Sequence, residues 1–313
     1  MSEVKKIATR ESYGNALAKF GAEYPDLVVL DADLANATKT GTFKKAFPDR
    51  FFDCGIAESN MTGIGAGLAT CGKIPFISSF AMFAAGRNYE QVRNSIGYPK
   101  LNVKIGATHA GITVGEDGAS HQCLEDIALM RTIPGMTVIV PADDTEVFAA
   151  VKAAIEHQGP VYLRFSRAAT PVIYDPADLK FEIGKGITVK DGSDISIIAT
   201  GVEVSYALEA AERLAGDGVK ARVIDMHTIK PLDEELVLKC AAETGKIFTV
   251  EEATVLGGLG SAVAETVAEK NPVPVHRIGV YDTFGESGPW NELMKKYKLD
   301  ADGVYEQIKA KLG

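Results

Sequence analysis

Short apolar runs recur along this chain, each followed by a stretch in which apolar positions fall at helical spacing. Residues 27–30, 51–52, 74–78, 101–105, 136–140 and 161–165 read as strands. Between them, Tyr13, Ala16, Leu17 and Phe20 mark a helix that Thr9 caps, and residues 80–94 mark another. Residues 124–131 predict a third helix, and Asp143 with Glu146 reads as a capping box for a fourth, ending near His157. Strands that are continuously apolar rather than alternating predict a parallel sheet covered on both faces. The periodicity lapses over residues 170–182, where Pro171 and Pro176 fall, and this is the expected linker. Strands then resume at 187–189, 195–199, 221–224, 247–250 and 275–280. The pattern predicts an α/β protein with a larger parallel-sheet domain over residues 1–183 and a smaller α/β domain over 184–313.

A length of 313 residues agrees with two domains. With 46% hydrophobic and 24% charged residues, the chain reads as well-cored and globular. No apolar run is long enough to span a bilayer, and the first six residues lack the apolar segment of a signal peptide. The net charge of −9 argues against nucleic acid and anionic membrane as partners, while leaving room for a local cationic pocket. Cys54, Cys71, Cys123 and Cys240 show no Cys-x-x-Cys pair and are expected to be reduced, buried and structural. A cytoplasmic location fits.

The stretch with the most chemistry is residues 51–71. One carboxylate, Glu58, stands at the exit of the Phe51–Phe52 run, where a helix carrying Gly63, Gly65 and Gly67 begins. Glycine weakens a helix by roughly 0.5–1 kcal/mol relative to alanine, so several together imply a neighbour packed close to the backbone. Among apolar neighbours, desolvation would favour the protonated form of Glu58 and let it share a proton with a bound ring nitrogen. A solvated helix-capping Glu is the plainer alternative.

The loop from Thr108 to Gln122 carries His109, Asp117 and His121, spaced by glycines. A long loop after a parallel strand lies where such sheets bind ligands, and this residue set suits a polyhydroxylated substrate. Phe80 and Phe83 are either core residues or a platform for a planar ring. Arg10 and Arg167 stand at element ends, where guanidinium groups can grip phosphate or carboxylate. Residues 258–263 half-imitate a dinucleotide fingerprint and read better as a tight turn before a helix. Gly216-Asp217-Gly218 reads as ordinary turn chemistry.

Together these stretches resemble the C-terminal half of transketolase, over nearly the whole chain. Gly55-Ile-Ala-Glu58 and Gly115-Glu-Asp-Gly-Ala-Ser-His-Gln122 look like two of that family's elements. Ile224-Asp-Met-His-Thr-Ile-Lys-Pro-Leu232 and Gly257-Gly-Leu-Gly-Ser-Ala262 are similar to its C-terminal domain and to that of deoxyxylulose-phosphate synthase. The resemblance implies a thiamine-diphosphate pyrimidine-binding domain followed by a transketolase C-terminal domain. Glu58 would contact the aminopyrimidine nitrogen, Phe80 and Phe83 would stack on that ring, and Asp33 would lie near the thiazolium. His109, Asp117 and His121 would line the donor-sugar channel, with His109 and His121 managing hydroxyl protons. Arg10 and Arg167 would bind substrate phosphate. The implied reaction moves a two-carbon ketol unit from a ketose phosphate to an aldose phosphate through a carbanion held on the cofactor.

The departures are specific. Gly86 and Arg87 stand where the family has a third aromatic, and Ala37 or Thr38 where it has a phosphate-contacting serine. The domain that binds the diphosphate and a divalent cation such as Mg2+ does not precede this half. The resemblance thus implies a split enzyme, with an N-terminal subunit supplying that domain and the pair assembling as a dimer of heterodimers. Two further readings stand beside it. One keeps the cofactor, as the beta subunit of a 2-oxoacid dehydrogenase's decarboxylating component or a deoxyxylulose-phosphate-synthase-like enzyme. The other is a non-catalytic or nucleotide-binding scaffold subunit.

Overall fold

The computed structural model describes residues 5–313. The first four residues, on which most of the leader reading rests, lie outside the described residues. The chain opens with β1 (Lys6–Ala8) and β2 (Leu27–Asp31), then β3 (Phe51–Asp53), β4 (Ile74–Phe80) and β5 (Lys104–Thr108). Next come β6 (Thr137–Ile139), β7 (Val161–Arg164) and β8 (Ala169–Pro171). Beyond residue 184 lie β9 (Ile187–Lys190), β10 (Ile195–Ala199), β11 (Ala221–Asp225), β12 (Thr228–Lys230), β13 (Ile247–Thr254) and β14 (Val275–Val280).

The larger sheet has seven strands in the order β12-β6-β7-β5-β4-β2-β3, and the smaller has five in the order β14-β13-β10-β11-β9. All pairs within them are parallel except β12 with β6 and β9 with β11. All five residues of β2 are buried, as expected of a strand covered on both faces. The Thr9–Glu23 helix buries Tyr13, Ala16, Leu17 and Phe20 against the larger sheet. Tyr13 stacks on Phe165 with ring centroids 4.5 Å apart, and its hydroxyl lies 2.7 Å from Ser78 Oγ. A Cβ at residue 106 would run into the Tyr13 ring, which explains the glycine inside β5.

Several expectations need correction. Thr9 is the first residue of its helix rather than its cap, and its Oγ1 instead accepts the backbone N–H of Ser166 at 2.8 Å. Residues 80–94 do not form one helix. Phe80 ends β4, and π-turns at Met82–Arg87 and Val92–Gly97 flank the short Tyr89–Gln91 helix. The strand expected at 101–105 starts at Lys104 and runs to Thr108. Lys104 is buried because its ammonium donates to the carbonyls of His157 and Gly159, both at 2.8 Å. The capping box is half made: Asp143 accepts from Glu146 N, but the Glu146 carboxylate turns to the Ala142 N–H. Of the cysteines, Cys123 and Cys240 are buried, Cys54 is partly so and Cys71 is exposed. In the Glu58–Thr70 helix only Gly65 has a close neighbour, Ile77, whereas Gly63 and Gly67 face open space.

Two turns came out as expected. The Glu203–Gly216 helix ends at the Asp217 turn. Gly258 precedes the Leu259–Lys270 helix, whose first N–H groups, those of Leu259 and Gly260, donate to the Glu251 carboxylate at 2.7 and 2.8 Å. That carboxylate fills the place a dinucleotide phosphate would need.

A buried charge cluster ties the two halves together. Arg164 on β7 bonds the Asp126 carboxylate at 2.9 Å and the Glu252 carbonyl at 2.9 Å, and Tyr162 donates to the same Asp126 oxygen at 2.8 Å. β12, from the second half, adds an antiparallel edge to the first sheet.

Candidate active site

Parallel register puts the carboxyl ends of β3, β2, β4 and β5 on one rim. Asp31 pairs with both Asp53 and Ser78, and Phe80 pairs with Thr108. Strand order reverses at the junction of β2 and β4, where open parallel sheets form ligand crevices. Asp33, Glu58, Phe80 and His109 all follow or end these four strands, so topology gathers residues from four separate sequence segments.

The centre is a chain of ring and charge contacts. His109 stacks on Phe80 with centroids 3.8 Å apart and an interplanar angle of 24°. Phe80 stacks on Phe83 at 6.0 Å, and His121 meets both rings edge-on at 6.2 and 5.3 Å. Over Phe83 lies the Arg87 guanidinium, its Cζ 4.3 Å from the ring centroid. Arg87 Nη1 donates to both oxygens of Glu58, at 3.1 and 3.2 Å. Glu58 is only 3% exposed. Burial is as expected, but the wholly apolar surround is not, because one wall is a cation. The two-ring platform is also altered, since an imidazole covers one face of Phe80 and a guanidinium lies over Phe83.

The loop after β5 is held by the second half of the chain. The Thr113 N–H donates to the Glu252 carboxylate, and Gln122 Nε2 donates to the Glu286 carbonyl at 3.0 Å. Gly111, at φ +79°, lies against that same carboxylate, so a side chain there would meet both backbone strain and a clash. Asp33, Lys39 and His109, none of them glycine, adopt φ values of +62°, +68° and +55°. Each such residue costs of order 1–3 kcal/mol, and their gathering near this rim is typical of sites that hold side chains in fixed directions.

Three cations lie near His109, of which Arg167 is paired with Glu116 and Lys39 lies 3.7 Å from Glu11. Burial first, then Arg10, Arg167, His121 and Lys39, push its pKa down to about 3, so the imidazole is neutral at physiological pH. His109 Nδ1 lies 3.0 Å from Thr108 Oγ1. Arg10 Nη1 donates to the Ala37 carbonyl at 2.9 Å, while its Nε is buried without a hydrogen-bond partner among the described residues. Arg167 Nη1 donates to the Val114 carbonyl at 2.5 Å and to Glu116 at 2.6 Å. Asp33 is exposed and lines a cavity of about 400 Å³ with Asn36, Gly41, Lys44 and Asp53. Asp117 is exposed at the end of the Ile112–Asp117 turn. His121 shares a contact of 2.9 Å with Ser120.

The structure thus brings together Phe80, Phe83, His109 and His121 by direct contact, joins Glu58 to them through Arg87, and gathers Arg10 and Arg167 by charge. The proximity of Lys39 to His109 was not foreseen. A buried carboxylate beside an aromatic face can hold a planar, protonated heterocycle, and the cationic group around His109 can hold an anion such as phosphate. Among the described residues, no three His, Cys, Asp or Glu side chains come together as a metal site.

Residues 5–172 match the family described as transketolase, pyrimidine binding domain, and residues 184–304 match transketolase, C-terminal domain. A chain of Methanocaldococcus jannaschii, provisionally named a transketolase C-terminal section, is 52% identical over 301 residues, covering 96% of this chain and 94% of that one. A 6-deoxy-6-sulfo-D-fructose transketolase subunit of a Clostridium species is 45% identical over 295 residues, covering 94% and 91%. A solved split-gene transketolase, in the form of an inactive beta4 tetramer, superposes with a TM-score of 0.90 at 53% identity, covering 97% of this chain and 98% of that one.

Proposed function

This chain belongs to the transketolase family, and from that membership we propose that it is the C-terminal subunit of a two-chain transketolase. The partner is an N-terminal chain carrying the diphosphate- and metal-binding domain, and the two assemble as a dimer of heterodimers. The observation that carries the reading is the run of contacts from the buried Glu58 carboxylate by way of the Arg87 guanidinium to Phe83 and Phe80, and from those rings to His109 and His121. The split-gene relative supports the need for a partner. Cofactor chemistry common to the family favours this over a scaffold role.

The residues fit thiamine diphosphate. Glu58 offers a desolvated carboxylate to a ring nitrogen, Phe83 offers a flat face, and Asp33 borders the same rim. When bound, the cofactor supplies a carbon nucleophile and an electron sink for breaking the donor's carbon–carbon bond. Glu58 Oε holds and returns the ring proton. With Nδ1 engaged by Thr108, His109 presents Nε2 to a substrate hydroxyl. Being neutral, it can accept or donate a hydrogen bond without placing a charge in the channel. His121 and Asp117 complete the hydroxyl-binding wall. Arg10, Arg167 and Lys39 hold the phosphate of the sugar away from the reacting carbons, and the unpartnered Arg10 Nε is the donor this anion would satisfy. The domains divide near residue 183, within the linker between β8 and β9.

The test is reconstitution with the N-terminal chain, followed by an assay of two-carbon transfer from xylulose 5-phosphate to ribose 5-phosphate. Transfer is expected. Pyruvate oxidation with an artificial electron acceptor, without ketol transfer, would overturn the reading.

A further inference from the structure

Arg87 does three things at once. Its Nη1 spans both oxygens of Glu58, its guanidinium lies over the face of Phe83, and its side chain is still 51% exposed. A guanidinium is planar, permanently charged, donates hydrogen bonds from its edge and stacks through its face. Those are the contacts that a protonated aminopyrimidine would make with the same two residues, its edge to the carboxylate and its face to the aromatic ring.

We propose that Arg87 is a resident stand-in for the cofactor ring, occupying the subsite formed by Glu58 and Phe83 until the ring displaces it. The inference rests on the assignment of Glu58 to the ring nitrogen. A buried carboxylate left unpaired is costly, so a mobile cation that neutralises it stabilises the empty subsite. The backbone beneath Arg87 is pinned, because the Asn88 side chain donates to Thr62 on the Glu58–Thr70 helix. Displacement therefore needs only rotation of the half-exposed side chain into solvent, not movement of the chain. An aromatic residue could not alternate in this way, since it offers the carboxylate no charge. The consequence is a competition in which cofactor affinity is lowered by the fraction of molecules with Arg87 docked. Release of the docked side chain also opens Glu58 and Phe83 together, so the two ring contacts become available in one event.

The experiment is calorimetric titration of thiamine diphosphate, with Mg2+ present, into the assembled two-chain enzyme. Arg87→Ala should bind roughly three- to tenfold more tightly than wild type, the range expected for a half-exposed ion pair aided by a cation–π contact. The gain should shrink as salt screens the Arg87–Glu58 pair in the wild type. It should vanish when Arg87→Ala is made in a Glu58→Gln background, because the stand-in acts through that carboxylate. Equal or weaker binding by Arg87→Ala, with Glu58→Gln itself weakened, would overturn the stand-in while leaving Glu58 at the ring. Unchanged binding by Glu58→Gln would instead remove the ring subsite, and the stand-in with it. Circular dichroism of each variant before titration excludes misfolding as the cause.

Discussion

His109 should stay uncharged well below neutral pH, and that has a measurable cost. Its folded pKa of about 3 lies below the 6.5 of an unperturbed histidine, chiefly because it is buried and then because Arg10, Arg167 and Lys39 lie near it, along with the His121 imidazole. The unfolded chain therefore binds a proton at acidic pH that the folded chain refuses. The stability associated with the neutral ring is complete above pH 6.5 and is lost as pH falls toward 3. Integrating between pH 7.5 and pH 5 gives about 2 kcal/mol of stability lost through this residue. His109→Gln keeps a polar side chain of similar reach and removes the titration. Urea unfolding of both proteins at the two pH values should show wild type losing about 2 kcal/mol more than the variant on acidification. Proton–nitrogen spectra of the imidazole should show a neutral ring at pH 5. Equal losses in both proteins, or an imidazole midpoint between pH 6 and 7, would refute the electrostatic picture of the site.

Two further predictions concern other links. Gly63 and Gly67 face open space within this chain, so replacing either by Ala should raise the stability of the isolated chain by about 0.5–1 kcal/mol in a thermal melt. The same variants should weaken association with the partner, measured by analytical ultracentrifugation, if the partner packs on that helix face. Gly65→Ala should do the opposite in the melt, because its Cβ would press on Ile77. Arg164→Met leaves the fully buried Asp126 without its cation and should cost about 3–5 kcal/mol in chemical denaturation. Adding Asp126→Leu should restore most of that loss; no recovery would show that the pair is not coupled.

Much of the fold was legible because its strands are short, apolar and buried on both faces, as in the run from Leu27 to Leu30. Placement of the site followed from the same signal, since the ends of parallel strands fall on one rim. What escaped depended on contacts distant in sequence. β12 is three residues long and finds its partner strand some ninety residues earlier, so no local pattern marks it. The π-turns after β4 keep a helix-like spacing of apolar residues, which is why residues 80–94 read as one helix. Arg87 stood out as a departure from the family, but its bond to Glu58 spans 29 positions and is a tertiary event. Lys39 reaches the site through a left-handed backbone angle that its residue type does not announce.

At the centre of the proposed function, the buried Glu58 carboxylate, at the start of the helix that follows β3, handles the ring proton of the cofactor. Turnover of the reconstituted enzyme carrying Glu58→Gln measures it most directly. Two-carbon transfer should fall by at least about a hundredfold, the usual contribution of a proton-transfer group, with assembly and circular dichroism unchanged. Transfer at the wild-type rate in that assembled variant would contradict the claim.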